Sequence, residues 1–234
     1  MIIRPPSLRD RMVLPEDPFM SGRHRSAAGR RPLEFLLNPY RFGGSTPTAF
    51  DPLKKGPAIT LSGANLVAAK ASGTAYNSVL TDTSKTTGKH YFEIVITQSS
   101  ISANYIVIGV APSTASLTNF IGFDSASYGY YQNTGQKVNN NVLASYGSVF
   151  AQGHTVCVAL DLTAGKIWFA INNTWAASGD PAAGTNPAYT GVSGTLFGGV
   201  SLYNGGSVPV DMVTAKFASG STTYSPPSGF THWG

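Results

Sequence analysis

Short apolar runs recur along residues 51–234, and they constrain the fold of this chain more than any other feature. Each run spans roughly four to eight residues, is rich in Val, Ile, Tyr and Phe, and ends at Gly, Asn, Ser or Thr, which is typical of strands. The runs lie at 58–61, 90–97, 105–111, 155–162, 166–172, 195–202 and 211–217. No segment shows a convincing helical period. The pattern therefore predicts an all-β fold, an antiparallel β-sandwich.

One run and the turn after it allow more detailed expectations. Residues 161–166 join two apolar runs through a tight, Gly-containing turn, as a β-hairpin requires. Within 156–160 both alternating sets of residues are apolar, so this strand is expected to be covered on both faces. Cys157, the single cysteine of the chain, is then a small buried hydrophobe and not a nucleophile. One cysteine also excludes an internal disulfide framework.

Residues 1–50 differ in composition from the rest of the chain, with seven of the fifteen prolines and all eight arginines. Proline at this density fixes φ and removes backbone donors, so an extended N-terminal arm is predicted here. The arm carries a net charge of +4, from eight arginines and four acidic residues. Residues 51–234 carry +1, from eight lysines and seven acidic residues. The chain is expected to divide into an arm, 1–50, and a sandwich domain, 51–234.

The arm needs a surface to lie on, because it cannot bury its own apolar side chains. Two placements stay open: the arm wraps its own domain, or it inserts into neighbouring subunits. Arginines with few acidic neighbours favour a partner that offers carboxylates or phosphates. The predicted partner contacts of the arm are Arg23, Arg25, Arg30, Arg31, Phe35, Tyr40 and Arg41.

Further motifs follow one another in a characteristic order between residues 88 and 230. They lie at 88–94, 108–111, 127–130, 146–147, 153–161, 165–173, 216–218 and 224–230, the last of which reads Tyr-Ser-Pro-Pro-Ser-Gly-Phe. In order and spacing these stretches resemble the SPRY family, whose domains are concanavalin-like β-sandwiches. The resemblance implies that residues 51–87 supply the opening strands. It also implies a non-catalytic binding module, in which loops at one end of the sandwich form a shallow surface for peptides or other ligands.

The residues themselves argue against an enzyme. Glycoside hydrolysis needs two paired carboxyls, but residues 51–234 contain one glutamate, Glu93, and aspartates that are isolated in sequence. The four histidines form no His-Glu-x-x-His motif, and no Gly-x-Ser-x-Gly elbow is present. We therefore expect no catalytic residue, no metal and no cofactor. The loops also carry too few charges for a nucleic-acid interface.

Candidate ligand-binding residues come from loops rich in Tyr and Asn, because loops held by a rigid scaffold commonly bind partners. The loop 120–141 is the richest. The candidates are Tyr128, Tyr130, Tyr131, Asn133, Lys137, Trp175, Tyr203 and Asn204. For three of these candidates a structural role stays open as the alternative to ligand binding. Tyr128 and Tyr130 alternate along a strand, so at least one of them would belong to the core. Trp175 would be buried beneath its loop.

Low charge, abundant Gly, Ser, Thr, Asn and Ala, and an arm fused to a SPRY-like sandwich together resemble tailed-phage virion proteins. The resemblance implies a structural protein of the particle, such as a head decoration, a neck or tail fibre, or a baseplate appendage. Its arm would bind other virion proteins, and the chain would be a homo-oligomer or present in many copies. It would assemble in the bacterial cytoplasm, since no signal peptide and no apolar run near 18 residues is present. The alternative is a lectin-like module that binds a host-surface glycan or receptor.

Overall fold

The computed structural model of the chain describes residues 47–70, 73–100, 105–203, 205 and 210–234. Most of the predicted arm lies outside the described residues. So do the predicted contacts Arg23, Arg25, Arg30, Arg31, Phe35, Tyr40 and Arg41, together with Asn204. The described part consists of strands and loops, with one short 3-10 helix at Ala176–Ser178. The predicted all-β class is confirmed.

Two sheets form the sandwich. One has seven strands, in the order β1 (Phe50–Lys55), β4 (Asn77–Lys85), β14 (Leu196–Leu202), β6 (Val107–Ala111), β7 (Tyr128–Tyr131), β8 (Gln136–Asn139) and β9 (Val142–Ser145). The other follows the order β12 (Thr174–Trp175), β11 (Lys166–Ile171), β10 (Thr155–Asp161), β5 (Lys89–Gln98), β15 (Asp211–Lys216), β3 (Val67–Lys70) and β2 (Ile59–Ser62). Two short strands complete it, β13 (Tyr189–Thr190) beside β11 and β16 (Thr231–His232) beside β5. Neighbours pair antiparallel, except that β16 runs parallel to β5.

Each of the seven apolar runs of the sequence falls on a strand. The runs correspond to β2, β5, β6, β10, β11, β14 and β15. The predicted hairpin is also present, because Asp161 at the end of β10 pairs with Lys166 at the start of β11. The strand predictions from residue composition are therefore confirmed for these seven strands.

Three apolar layers stabilise the domain, one between the sheets and one on the outer face of each. Strand β10 contributes to two of them. Val156 and Val158 face the core between the sheets, whereas Cys157 and Ala159 face an outer layer that also contains Trp168. All of these side chains are buried. The expectations that this strand is covered on both faces and that Cys157 is a buried hydrophobe are confirmed.

The C-terminal segment covers the outer face of the nine-stranded sheet and is held there by the buried carboxylate of Glu93. This carboxylate accepts hydrogen bonds from the Tyr91 hydroxyl at 2.8 Å and from the backbone N–H groups of Thr223 and Tyr224 at 2.6 and 2.8 Å. A buried carboxylate with three donors is well satisfied. The single glutamate of the sandwich therefore serves the fold.

The chemistry of the two ends of the sandwich differs. Strands β4 and β5 lie in different sheets and are joined by residues 86–88, so the end of β4 and the start of β5 mark one end. Lys85 closes β4 there, Lys89 opens β5, and Asp161 and Lys166 pair in the neighbouring hairpin. We call this the charged end. The opposite end, where β4 begins at Asn77, is the tyrosine end.

Candidate partner-binding surface

Four tyrosines stand beside strand termini at the tyrosine end. Tyr76 immediately precedes β4, Tyr105 lies just before β6, Tyr131 closes β7, and Tyr203 follows β14. The registers of β4 with β14, of β14 with β6 and of β6 with β7 bring these four termini side by side. We call Tyr76, Tyr105, Tyr131 and Tyr203 the tyrosine cluster. It forms because strand termini meet in space, although its members are far apart in sequence.

The four rings of the tyrosine cluster contact one another in a closed circuit. Tyr105 stacks on Tyr131 with ring centroids 6.0 Å apart, and its ring meets that of Tyr203 edge-on at 5.2 Å. The ring centroids of Tyr203 and Tyr76 are 4.9 Å apart, and the hydroxyls of Tyr76 and Tyr131 form a hydrogen bond of 2.9 Å. The Phe120 ring packs against Tyr76, with the ring centroids 5.0 Å apart. All four tyrosines are half-buried, so the cluster presents a pre-organised aromatic surface to solvent.

A buried lysine supports this surface from below. Lys70 closes β3 and is 1% exposed. Its ammonium group donates hydrogen bonds to the carbonyl oxygens of Gly73 at 2.8 Å and Tyr203 at 3.0 Å. Burial lowers the pKa of Lys70, and the nearby carboxylate of Asp211 opposes that shift. Lys70 therefore fixes the backbone that carries one member of the tyrosine cluster.

Burial also determines the protonation of the cluster. It raises the pKa of Tyr76, and the hydrogen bond with Tyr131 raises it further. Burial likewise raises the pKa of Tyr131. Because a raised pKa favours the neutral phenol, these hydroxyls stay protonated and act as hydrogen-bond donors and acceptors near neutral pH.

The segments that connect strands at the tyrosine end carry no charged residue. This holds in sequence for 56–58, 71–76, 99–106, 132–135, 146–153, 172–173 and 203–210, none of which contains Asp, Glu, Lys or Arg. The charged residues at this end stand on strand termini instead: Lys55, Lys70 and Asp211. A partner that contacts these segments meets aromatic rings, amides and hydroxyls. A partner with a high charge density gains little from such a surface.

A cleft of about 360 Å³ opens next to Trp175, which lies on the short strand β12. Its lining includes Val149, Ile171, Ala176 and the edge of Tyr130. His154 adds a polar group: its Nδ1 accepts a hydrogen bond from the Ala151 N–H at 3.3 Å, which places the hydrogen of the neutral imidazole on Nε2. We call this the Trp175 cleft. It combines apolar walls with one oriented donor, as ligand sites commonly do.

A second, smaller cleft of about 270 Å³ lies beside the first. It is lined by Gln132, Asn133, Val149, Phe150 and Ala151. Val149 lines both clefts and is 57% exposed. Gln132 and Asn133 directly follow Tyr131 in the chain, so the smaller cleft lies at the same end of the domain as the tyrosine cluster. The tyrosine cluster and the two clefts thus share one end of the domain.

The structure brings four of the predicted ligand-binding residues to this surface. Tyr131 and Tyr203 belong to the tyrosine cluster, Asn133 lines the smaller cleft, and Trp175 lines the larger one. Trp175 is half-buried: it also packs against the outer apolar layer of the nine-stranded sheet. Both alternatives for Trp175 thus apply in part.

The other described candidates serve the interior. Tyr130 is fully buried and stacks on Phe169 at 5.5 Å, so it belongs to the core, although its edge reaches the Trp175 cleft. Tyr128 is half-buried against Tyr189 at 5.3 Å. Lys137 donates to the carbonyl oxygen of Ala188 at 2.6 Å, and its ammonium group lies 4.8 Å from the Tyr189 ring centroid. Tyr128 and Lys137 therefore join the edges of the two sheets and do not line the tyrosine end.

Sequence reasoning did not single out Tyr76, Tyr105, Val149 or His154. Each stands outside the loop that is richest in Tyr and Asn, and only the strand registers reveal where it lies. A usable signal was nevertheless present for two members of the tyrosine cluster: Tyr105 opens the apolar run 105–111 and Tyr203 follows the run 195–202, where a strand terminus is expected. Within the described ranges, no three His, Cys, Asp or Glu side chains are grouped so as to hold a metal ion.

Comparison with known proteins identifies the fold. The SPRY domain family matches residues 89–211. The SPRY domain of human HERC1 superposes with a TM-score of 0.58 at 21% identity, covering 72% of this chain and 97% of that one. Stonustoxin gives a TM-score of 0.50 at 16% identity, covering 72% of this chain and 26% of that one. No curated protein matches the chain. At these identities the solved structures show the fold alone.

Proposed function

Since the chain belongs to the SPRY domain family, we propose that it is a non-enzymatic binding protein that recognises an uncharged protein partner through its tyrosine end. SPRY domains are protein-interaction modules. The observation that carries the proposal is that the tyrosine cluster and the two clefts lie at one end of the domain, whose connecting segments contain no charged residue. The charged end of the same domain differs from the tyrosine end in the chemistry of its side chains.

The side chains suit such a role for energetic reasons. Tyrosine offers a large contact area with two rotatable angles, so it loses little conformational entropy on binding. Rings that already touch one another lose still less, because their geometry is fixed before the partner arrives. An uncharged surface also avoids the cost of desolvating ions, which favours a partner segment of apolar, hydroxyl and amide groups.

In the proposal the chain is a structural component of a tailed-phage particle. Residues 1–50 anchor it to other virion proteins, and the sandwich displays its tyrosine end. The low charge of residues 51–234 and the concentration of all arginines in the first 41 residues support this division of labour. A particle protein present in many copies needs only a weak site in each copy, because avidity multiplies weak contacts.

A host-surface glycan is the second candidate ligand of the same end. The Trp175 cleft favours it, because an indole ring beside an oriented imidazole donor and a nearby amide suits a sugar. Charge does not separate the two ligands, since most sugars and many peptide segments are neutral. They must be distinguished by experiment.

Peptide and glycan arrays probed with the full chain test the proposal. We expect binding to uncharged peptides, and we expect Tyr105→Ala and Tyr203→Ala to weaken it by about tenfold or more, since aromatic anchors dominate interfaces. Leu53→Ala is the matched control, because Leu53 is 90% exposed on strand β1, belongs neither to the tyrosine cluster nor to the two clefts, and should leave binding unchanged. Binding to glycans alone would transfer the function to the second candidate. Binding that Tyr105→Ala and Tyr203→Ala leave intact would contradict both.

The anchoring role of the arm has a separate test. A chain that lacks residues 1–50 should fail to enter particles assembled with all their other components. The shortened chain must still show the β-rich circular dichroism of the full chain, so that misfolding is not the cause. Normal incorporation of the shortened chain would contradict the anchoring role.

A further inference from the structure

Strand β9 is the outermost strand of the seven-stranded sheet, and among the described residues no strand pairs with its outer side. It reads Val-Leu-Ala-Ser, without a charge or a proline. Val142 is 62% exposed and Leu143 is 41% exposed. An edge strand with these properties is a ready template for pairing with another strand.

The opposite edge of the same sheet is protected. Strand β1 contains Pro52, which cannot donate a backbone hydrogen bond, and an ion pair between Asp51 and Lys54. Its register with β4 also shifts between Phe50 and Lys55. Prolines, charges and irregular pairing are the devices that block edge-to-edge association. Strand β9 has none of these devices, so one edge of the sheet is protected against pairing and the other is not.

The β8–β9 hairpin determines which backbone groups of β9 point outward. Its two-residue turn is formed by Asn140 and Asn141, with φ of 52° and 56°. Such a turn closes on a hydrogen-bonded pair, here Asn139 with Val142. The alternation then directs the N–H and C=O groups of Leu143 and Ser145 away from β8. Four backbone groups are therefore available to a further strand.

Apolar side chains are concentrated near this edge. Five large apolar side chains are exposed in the described part of the chain, and Phe123, Val142 and Leu143 are three of them. Phe123 lies in a turn that is tied to the hairpin by a 2.8 Å hydrogen bond from the Asn141 N–H to the Gly122 carbonyl. The edge thus offers apolar contact as well as hydrogen bonds.

From these features we infer that β9 pairs antiparallel with β9 of a second copy of this chain across a two-fold axis. The axis passes next to Ala144, so that Leu143 of each copy faces Ser145 of the other. These two pairs exchange four backbone hydrogen bonds, which use all of the outward-pointing groups of Leu143 and Ser145. The two seven-stranded sheets become one continuous sheet.

A second copy fits this edge because of its charge and its small central residue. At a two-fold axis each residue near the axis meets its own copy, so any charge there would repel itself. Residues 138–153 contain no Asp, Glu, Lys, Arg or His. Ala144 lies in the pair without direct hydrogen bonds, where the Cα atoms approach to about 4.5 Å and a small side chain is favoured.

The pairing involves only four residues of each copy. The area it buries is therefore smaller than the roughly 1,200 Å² that stable interfaces bury. The pairing is thus a weak association that a multi-copy assembly strengthens. This inference does not depend on the proposed function, because β9 lies outside the tyrosine cluster and the two clefts.

Sedimentation velocity of the full chain over about a hundredfold range of concentration tests the inference, since a dimer gains population with concentration. We expect a shift from monomer towards dimer. Leu143→Lys and Ser145→Pro should weaken it by about tenfold or more, the first by charge at the axis and the second by removing an outward N–H. Leu53→Lys, the same change on the protected edge, should leave it unchanged. A chain that remains monomeric, or a dimer that survives both β9 variants, would overturn the inference.

A cysteine placed at the axis checks the register. In Ala144→Cys the Cα atoms of two copies would lie at about 4.5 Å, within the roughly 4.4–6.8 Å that disulfides span. Mild oxidation should then link two chains about tenfold faster than in the matched variant Leu53→Cys, and Cys157 does not interfere because it is buried. Equal linkage of the two variants would contradict this register. Protection of the Leu143 and Ser145 amides from hydrogen exchange in a monomer would show that another segment covers β9, which also overturns the inference.

Discussion

The charged end and the tyrosine end are reached by the same strands, yet they use their side chains in different ways. At the charged end the ionic groups have partners within the domain. The ammonium group of Lys89 lies 3.5 Å from the Asp161 carboxylate and 5.4 Å from the Phe230 ring centroid, and Lys166 donates to the Gly184 carbonyl at 2.8 Å. At the tyrosine end the rings are half-buried and keep one side towards solvent.

The difference distinguishes side chains that are occupied in stabilising the domain from side chains that remain available to a partner. Charges that hold loops in place are of limited use to a partner, because a partner must compete with an existing contact. Aromatic rings that pack against one another can both stabilise the domain and contact a partner, since a ring contact on one side leaves the other side available. Recognition is therefore expected where side chains are fixed but incompletely covered.

The largest expected effect tests whether the tyrosine end depends on a charge after all. Lys70→Ala removes the ammonium group that binds the Gly73 and Tyr203 carbonyls and takes a positive charge away from buried Asp211. Loss of one member of a buried charge pair costs about 3 kcal/mol or more. We expect that loss in the free energy of unfolding, measured by urea denaturation.

Lys54→Ala provides the control for this prediction. Lys54 is partly exposed, pairs with Asp51 and lies 4.9 Å from the Phe197 ring centroid, and such contacts contribute about 1 kcal/mol or less. If Lys70→Ala and Lys54→Ala lowered the free energy of unfolding by the same small amount, Lys70 would not be needed to stabilise the tyrosine end. This end would then differ from the charged end in its buried groups as well as on its surface.

Alkaline pH is expected to weaken the tyrosine end. Burial raises the pKa of Tyr76 and Tyr131 in the folded state, so folding favours the neutral phenol. Their contribution to stability is fully present below the unfolded pKa of about 10 and is lost as the pH rises through the folded values. Allowing for their exposed sides, we expect a loss of about 1 kcal/mol per pH unit above pH 10.

Urea denaturation at pH 8 and at pH 11, with tyrosinate absorbance to follow ionisation, measures this loss. The double variant Tyr76→Phe/Tyr131→Phe should reduce the pH dependence, because phenylalanine does not ionise. Tyr224→Phe, a change in the outer layer away from the tyrosine end, is the matched control and should retain it. An unchanged slope in the double variant would show that other tyrosines are responsible.

The sequence was sufficient for the fold because the central strands are locally distinctive. Both alternating sets of 156–160 are apolar, and burial of this strand on two faces follows directly. The two edge strands of the seven-stranded sheet are harder to predict. Strand β9 has only four residues and β1 contains a proline and charges, so neither shows a clear run of strand-forming residues.

The candidate surface could be predicted only in part. Tyr131, Asn133, Trp175 and Tyr203 were identified by residue type, since Tyr, Trp and Asn are common in binding loops. Composition could not separate Tyr130, which points inward, from Tyr131, which points outward one residue later. That distinction depends on strand register, and a shift of one residue would have exchanged the two roles.

The smallest expected effect concerns the charged end and its sensitivity to salt. Lys89 is partly exposed, so its contacts with Asp161 and Phe230 contribute only about 0.5–1 kcal/mol at low ionic strength. We expect Lys89→Ala to lower the free energy of unfolding by that amount in dilute buffer and by less in 1 M salt, where screening is effective within about 3 Å.

Tyr105→Phe is the comparison at the other end, because it retains the ring contacts with Tyr131 and Tyr203 and involves no charge. Its effect on stability should be the same at both salt concentrations, as expected for contacts between neutral rings. Urea denaturation of both variants at low and high salt would therefore separate the ends by physical mechanism. A salt dependence in Tyr105→Phe equal to that in Lys89→Ala would mean that long-range charge acts on both ends, and the contrast between them would then be one of residue type alone.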